Sequence, residues 1–467
     1  QLAEGNIVIS NDRRLLPANA HERTYNLATS SEVAGIILGD VQVTKSKDGT
    51  IQIPDIVLNV REKPRKQLKK IHTVHRSYDP LMYVLFFPHG EDGWTRFLER
   101  KGNAKNKGGK LTELDFYSYR IQWRMDEFIV LLRGKRLFQM YLVDMWAKIE
   151  NHRLEWARNN QPKLRAEHLN TMLDVIHSRD FVPDMQVGNR VILPASYVGS
   201  KRYWKKLFQD AMAIVRKMGK PDYFITMTCN PAWKEIKESL LPGQSSVDRP
   251  DVCARVFDLK HKQMKKDILS GKVLGEVVAH VESVEFQKRG LPHTHLLLWV
   301  KPIDKPVTRE IIDSVICAEI PDQKKNPELY NAVKSYMMHG PCHPAWNPNS
   351  PCLEKKGDGP KSCNKGFPKT LRSETLLSDD SYPEMRRRSP EEGGHFINKT
   401  RMNGDQVTID NGYIVPYNPK LLLKFQCHMN VEAVHSTLSV RYIFKYICKG
   451  QDRANVKVTV SEVPMAA

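Results

Sequence analysis

Cysteines are scarce in this chain, and long apolar runs are missing from it. Eight cysteines in 467 residues are too few for a scaffold held by disulfides. No run approaches the roughly 18 apolar residues that a membrane span requires, and the opening QLAEGNIVIS has no signal-peptide pattern. We therefore expect a soluble, intracellular protein without a membrane partner, built from about two to four domains.

Negative charge is also in short supply. The chain has 72 lysines and arginines against 53 aspartates and glutamates, a formal net charge of +19. A cation excess of this size favours an anionic partner, and nucleic acid is the leading candidate. The alternative is a soluble protein whose charge only keeps its copies apart.

Three regions differ in composition. Residues 1–110 mix short β-like runs with a basic segment and end in a Gly-, Lys- and Asn-rich loop, so we expect a basic, DNA-facing N-terminal region. Residues 111–215 carry apolar side chains every three or four positions, which is typical of helices. Residues 216–467 predict an α+β domain with a central antiparallel sheet and helices packed on one side.

Single elements can be placed within these regions. Residues 200–219 predict a helix that ends at Gly219, a residue suited to a helix C-terminus. The alternation in 221–231 predicts a strand with one polar face. Residues 273–286 and 293–300 predict two more strands, joined by a tight turn.

The stretch RGLPHTHLLLWV places two imidazoles at the start of an apolar strand. His293 and His295 share one face of that strand, and Thr294 points to the other. Two imidazoles on a rigid strand can bind a divalent cation. Glu285 or Gln287, across the turn, can supply a third ligand, and the hairpin register decides which. The plainer interpretation is a hydrogen-bonded histidine pair at a sheet edge.

A second motif, SVRYIFKYICKG at 439–450, predicts an amphipathic helix. Apolar side chains fall on one side, and the other side carries Tyr442, Lys445, Tyr446 and Lys449. The two hydroxyls lie one helical turn apart, flanked by ammonium groups. This arrangement suits tyrosine attack on a phosphodiester, with nearby cations stabilising the developing charge. A surface or base-stacking face is the alternative.

A third group lies in a Pro-, Gly- and Asn-rich stretch at 337–369, which predicts little regular structure. Four ligand-type residues fall within it: His339, Cys342, Cys352 and Cys363. They fit a closed tetrahedral zinc site that would hold the stretch together, and His343 could replace His339. Reduced cysteines without a metal are the alternative.

Together these segments resemble a known family. FITMTCNPAW, EFQKRGLPHTH and YIFKYICKG, in that order, are similar to the Rep endonuclease region of Helitron transposases, members of the HUH class of single-strand nucleases. The similarity extends from about Tyr117 to Lys449. The middle residue of the histidine motif is usually hydrophobic in that class, and Thr294 is a departure from it.

The resemblance implies an HUH-type fold and a specific chemistry. His293 and His295, with Glu285 or Gln287, would hold Mg²⁺ or Mn²⁺. Tyr442 or Tyr446 would attack single-stranded DNA at a transposon end, helped by Lys445. The products would be a 5′-phosphotyrosine link and a free 3′ hydroxyl, and strand transfer would follow. Residues expected to contact DNA are Thr226, Thr228, Asn230, Arg289 and Lys449.

The resemblance also implies a partner and a compartment. Family members continue into a helicase, and this sequence contains no G-x4-G-K-[ST] phosphate-binding loop. Either the sequence is a fragment of a longer protein or the element has lost its helicase; we expect a fragment with a helicase domain C-terminal to it, and the nucleus as the compartment of a eukaryotic mobile element. The alternatives are a plasmid or viral replication initiator, a non-catalytic DNA-binding descendant and a zinc hydrolase.

Overall fold

The computed structural model describes most of the central part of the chain. The described residues are 5–9, 56–60, 67–100, 109–166, 191–287, 290–340, 342, 347–355, 360–377, 382–400, 406–434 and 456–460. Tyr442, Lys445, Tyr446, Lys449 and Arg289 lie outside them.

The described residues form a mixed α+β structure. Its helices are α1 (Tyr78–Met82), α2 (Glu113–Arg120), α3 (Arg136–Asn159), α4 (Gln161–Ala166), α5 (Lys201–Met218), α6 (Lys234–Glu238), α7 (Pro250–Gly271), α8 (Arg309–Val315), α9 (Pro327–Tyr336) and α10 (Pro419–Phe425). None of the helices in this part of the chain has the length and apolar character needed to span a bilayer.

The described strands pair in the antiparallel sense. They are β1 (Gly5–Ile9), β2 (Ile56–Val60), β3 (Gln67–Ile71), β4 (Tyr223–Thr228), β5 (Val277–Phe286), β6 (Pro292–Val300), β7 (Leu353–Lys355), β8 (Lys361–Cys363), β9 (Ile397–Thr400), β10 (Gln406–Ile409), β11 (Met429–Ala433) and β12 (Val456–Val460). The described strands form one four-stranded sheet, ordered β11-β4-β6-β5, and four two-stranded pairs: β1-β12, β2-β3, β7-β8 and β9-β10.

The backbone divides into two compact units. One comprises Gln1–Trp204, Leu241–Gln244 and Gln451–Ala467, and the other Lys205–Leu240 and Ser245–Gly450. The predicted division into three regions remains a prediction.

Most of the elements predicted around the motifs are present. Helix α5 ends at Met218, and Gly219 follows it with a φ of 77°, a left-handed conformation that glycine adopts without strain. Strands β4, β5 and β6 lie within or across the predicted segments. Every residue of β6 is buried, as its apolar run predicts for a central strand.

The two faces of the four-stranded sheet are covered differently. On one face, side chains of β4, β6 and β11 pack with those of α7, α8 and α10 in the largest core. This core includes Ile225, Leu296, Phe257 and Met264. On the other face, α5 covers only one end, over Phe224, Leu297 and Trp299. The prediction of helices on one side was wrong, because the amphipathic α5 covers the apolar half of the second face.

The first unit has its own core around α1, α2 and α3, built from aromatic and aliphatic side chains such as Phe138 and Tyr141. A charged group lies inside it. Lys148 Nζ lies 3.0 Å from Asp79 Oδ1 and 2.8 Å from the hydroxyl of Tyr117, and the Lys148 and Asp79 side chains are 1% and 0% exposed. Such a pair is tolerated in a core because each group satisfies the other.

Candidate functional site

The polar half of the second sheet face carries the predicted histidine motif. Glu285 of β5, His293 of β6 and Thr228 of β4 lie in register across three strands, and Ser283, His295 and Thr226 form the next row. Opposed residues of paired strands point to the same face. The sheet therefore places two imidazoles, a carboxylate and three hydroxyls on one surface.

The hairpin between β5 and β6 sets this register. Phe286 pairs with Pro292, so five residues connect the strands, and Gly290 adopts a φ of 77° while donating its N–H to the Gln287 carbonyl at 2.7 Å. A five-residue connection brings Glu285 directly opposite His293. Had the loop been one residue longer or shorter, the opposite face of β5 would meet the histidines.

Glu285, His293 and His295 form a group that could hold a metal ion. One ligand atom from each lies within 4.8 Å of the others. The Nε2 atom of His295 is 3.2 Å from Glu285 Oε1. The amide of Gln287 instead lies 3.4 Å from Nδ1 of His293. Glu285 is therefore better placed than Gln287 as the third ligand.

In each histidine ring, a threonine hydroxyl lies within hydrogen-bonding distance of Nδ1. Thr228 Oγ1 lies 2.7 Å from Nδ1 of His293, and Thr226 Oγ1 lies 3.1 Å from Nδ1 of His295. When a ring binds a cation through Nε2, its Nδ1–H needs an acceptor, and such partners orient metal-binding histidines. The set of a carboxylate and two oriented imidazoles fits a divalent cation, although it does not select one.

Burial keeps His293 uncharged. Desolvation, reinforced by the neighbouring His295, lowers the pKa of His293 to about 3, and Glu285 only partly opposes this. A neutral imidazole has a lone pair free for a cation. Phe224 stacks on His295 with ring centroids 5.5 Å apart, which fixes the plane of that ring.

The middle residue of the motif points the other way. Thr294 is fully buried; its hydroxyl donates to the Ser283 carbonyl at 3.1 Å and lies 3.4 Å from Nε2 of His261 on α7. The hydroxyl that Thr294 brings to a usually hydrophobic position therefore has polar partners in the core. His261 was not predicted to have any role, because nothing in its helix identifies a partner on another element.

Two more polar residues on this face were missed from the sequence. Asn430 and Glu432 of β11 lie opposite Thr226 and Phe224, and the Asn430 amide donates to Glu432 Oε1 at 3.0 Å. The amide of Asn230 donates to the Gln426 carbonyl at 2.6 Å, and the expected contact of Asn230 with DNA stays a prediction.

The predicted zinc ligands also come together. One ligand atom from each of His339, Cys342, Cys352 and Cys363 lies within 4.8 Å of the others. The short strands β7 and β8 pair Leu353 with Cys363 and so bring two ligand segments together. Burial raises the pKa of the Cys363 thiol, but hydrogen bonds, chiefly from backbone N–H groups, outweigh this effect and the pKa is lowered. One of these donors is the N–H of Lys365, which lies 3.4 Å from Cys363 Sγ. One imidazole and three thiols form a ligand set that suits zinc. His343, the alternative ligand, lies outside the described residues.

Comparison with known proteins adds one match. Residues 116–298 match the family model of the Helitron helicase-like domain at the N-terminus. This region is Helitron-related. The family recognised from the motifs is thereby confirmed for less than half of the chain. The Helitron-related region includes Glu285, His293 and His295 and ends before the cysteine group. A search of curated proteins finds no match.

Proposed function

We propose that the chain is the nuclease part of a Helitron transposase, which nicks single-stranded DNA and transfers the strand. The observation that carries the proposal is the group of Glu285, His293 and His295 on a rigid sheet within a Helitron-related region. The sheet would then be the core of an HUH-type fold. The net charge of +19 suits a DNA substrate.

Glu285, His293 and His295 would hold Mg²⁺ or Mn²⁺. Such an ion, when bound, polarises a phosphate oxygen and stabilises charge on the phosphorus centre. The chain's own residues orient the ligands: Thr228 and Thr226 hold the two Nδ1 atoms. Water is restricted there because both imidazoles are buried.

The proposed nucleophile is Tyr442 or Tyr446, assigned by resemblance. Its phenolic oxygen forms a bond to phosphorus as the bond from phosphorus to the 3′ oxygen breaks, and the phenol proton ends on the released 3′ hydroxyl. Lys445 would stabilise the phenolate. One phosphodiester replaces another, so the step needs no ATP. The second tyrosine would allow a second transfer, as strand transfer at transposon ends requires.

Other parts of the proposal follow from the same assignment. Arg289 and Lys449 would contact DNA phosphates, a helicase would act with the chain, and the nucleus would be its compartment. The cysteine group would hold a structural Zn²⁺.

The test is an adduct assay. Wild-type chain is incubated with labelled single-stranded oligonucleotide and Mn²⁺, and the products are separated on a denaturing gel. We expect a protein-linked band that disappears when Tyr442→Phe and Tyr446→Phe are combined. His293→Ala and Glu285→Gln should abolish cleavage while much of the DNA binding remains, and Gln287→Ala should retain cleavage.

The rival functions give different bands. A zinc hydrolase yields cleaved DNA with free termini and no adduct. A non-catalytic DNA-binding descendant binds the oligonucleotide and leaves it intact. An adduct that survives the double tyrosine change would overturn the assignment of the nucleophile.

A further inference from the structure

A loop in the first unit exposes large apolar side chains that lie outside the apolar core of that unit. The loop follows α2 and leads to a short helical turn at Val130–Arg133. Trp123 is 56% exposed, Met125 81% and Phe128 72%. Its two ends are fixed, since Tyr117 on one side and Leu131 and Leu132 on the other are buried in the core. The exposure is thus a property of an anchored loop.

Arginines already lie over two aromatic rings of this surface. The guanidinium carbon of Arg124 is 4.4 Å from the ring centroid of Tyr119, and that of Arg133 is 4.2 Å from the centroid of Phe128. Tyr119 is 59% exposed. Each ring therefore has a cation on one face and remains largely open to solvent.

Arg124 is held in position by several bonds. Its Nη1 donates to the Tyr119 carbonyl at 2.9 Å and to the Gln122 carbonyl at 3.3 Å, while its Nε donates to Glu127 at 2.6 Å. A side chain fixed in this way loses little conformational freedom when a ligand binds. The platform of Tyr119 and Arg124 is therefore formed before any ligand arrives.

The charge around these rings selects the ligand. Between Tyr119 and Arg136 there are five lysines and arginines and two acidic residues, and Arg124 pairs with one of the acids, Glu127. A polyanion with flat apolar groups matches such a surface. Single-stranded nucleic acid has this chemistry, because its bases are free to stack while its phosphates meet the cations. A duplex keeps its bases stacked inside.

We propose that Tyr119, Trp123 and Phe128, with Arg124 and Arg133, form a stacking platform for the bases of single-stranded DNA. This inference rests on the proposed function for its choice of DNA as the strand. It assigns to the first unit a way of holding the substrate by its bases, independently of sequence.

The experiment measures binding of fluorescein-labelled oligothymidylate by anisotropy to the full chain carrying Tyr442→Phe and Tyr446→Phe. Trp123→Ala or Phe128→Ala should weaken binding about five- to tenfold, as expected for loss of one stacked base. The slope of affinity against salt concentration should not change, because no phosphate contact is removed. Trp123→Phe and Phe128→Tyr keep a ring and should restore most of the affinity.

Two controls separate stacking from general charge or loss of fold. Phe97 is 89% exposed and, among the described residues, has no cation over its ring, so Phe97→Ala should bind as the parent chain does. An abasic oligonucleotide keeps the phosphates without the bases. It should bind weakly, and equally to the parent chain and to the Trp123→Ala chain.

The outcomes decide the proposal separately from the nicking assay. Unchanged oligothymidylate affinity in Trp123→Ala and Phe128→Ala overturns the platform, even where the wild-type chain forms an adduct. A fall in melting temperature with unchanged affinity also overturns it, since the rings would then be packing residues. Weakened binding with intact thermal stability supports it, even where no adduct forms.

Discussion

Replacing Thr228 by valine tests whether the threonines hold the metal ligands. Valine has nearly the same shape but cannot bond to Nδ1 of His293, which lies 2.7 Å from the Thr228 hydroxyl. Partners of this kind are typically worth roughly 10- to 100-fold in metal affinity, which is about 1.4 to 2.8 kcal/mol. The hydrogen bond is short and partly buried, so we expect an effect within this range.

Manganese binding gives a direct assay. Free Mn²⁺ has an electron paramagnetic resonance signal that weakens on binding, so titration yields a dissociation constant without DNA. Thr228→Val should bind Mn²⁺ roughly 10- to 100-fold more weakly, and Thr228→Ser, which restores a hydroxyl, should recover much of the loss. Wild-type affinity in Thr228→Val would refute the orienting role.

Thr294 supplies a matched control on the same sheet. It is also a threonine beside the histidines, but its hydroxyl faces α7 and bonds to the Ser283 carbonyl. Thr294→Val should leave the Mn²⁺ affinity unchanged. It should lower the free energy of unfolding by about 1 kcal/mol, the usual value of one hydrogen bond. Equal loss of metal affinity in Thr294→Val and Thr228→Val would mean that both act only through the fold.

Two further predictions concern other parts of the molecule. Cys352→Ser should remove one equivalent of zinc from the purified chain, measured by elemental analysis. Cys317 lies outside the four-ligand group, so the Cys317→Ser chain should retain the zinc. Equal zinc content in the two variants would contradict the site. Lys148→Met leaves Asp79 buried without its cation, and should lower the free energy of unfolding of its unit by about 3 to 5 kcal/mol in urea. Lys234→Met breaks an exposed pair and should cost less than about 1 kcal/mol; equal costs would show that burial does not matter for Lys148.

The site could be predicted where local patterns define it. Alternation along β6 placed His293 and His295 on one face, and the spacing of turn residues limited the partners to Glu285 and Gln287. Whether that face of β5 meets the histidines depends on the register, because a four-residue connection would turn the opposite face toward them. The structure has five, and Glu285 lies opposite His293.

Long-range pairing could not be predicted in the same way. Strand β11 has five residues and pairs with β4, which lies far earlier in the chain, so Asn430 and Glu432 gave no local sign of a shared face. Strand β3 lies mostly in the basic segment of the first region, for which no strand was predicted. Helix α5 was predicted, but its amphipathic pattern does not say which face of the sheet it covers.

The alternation within β6 also guards against misfolding. If the strand slipped by one residue relative to β4, His293 and His295 would point into the apolar layer under α7, and Leu296 would point out among polar groups. Burying two imidazoles without partners costs several kcal/mol. The residues proposed to bind the ion thus also penalise wrong pairings of the strand.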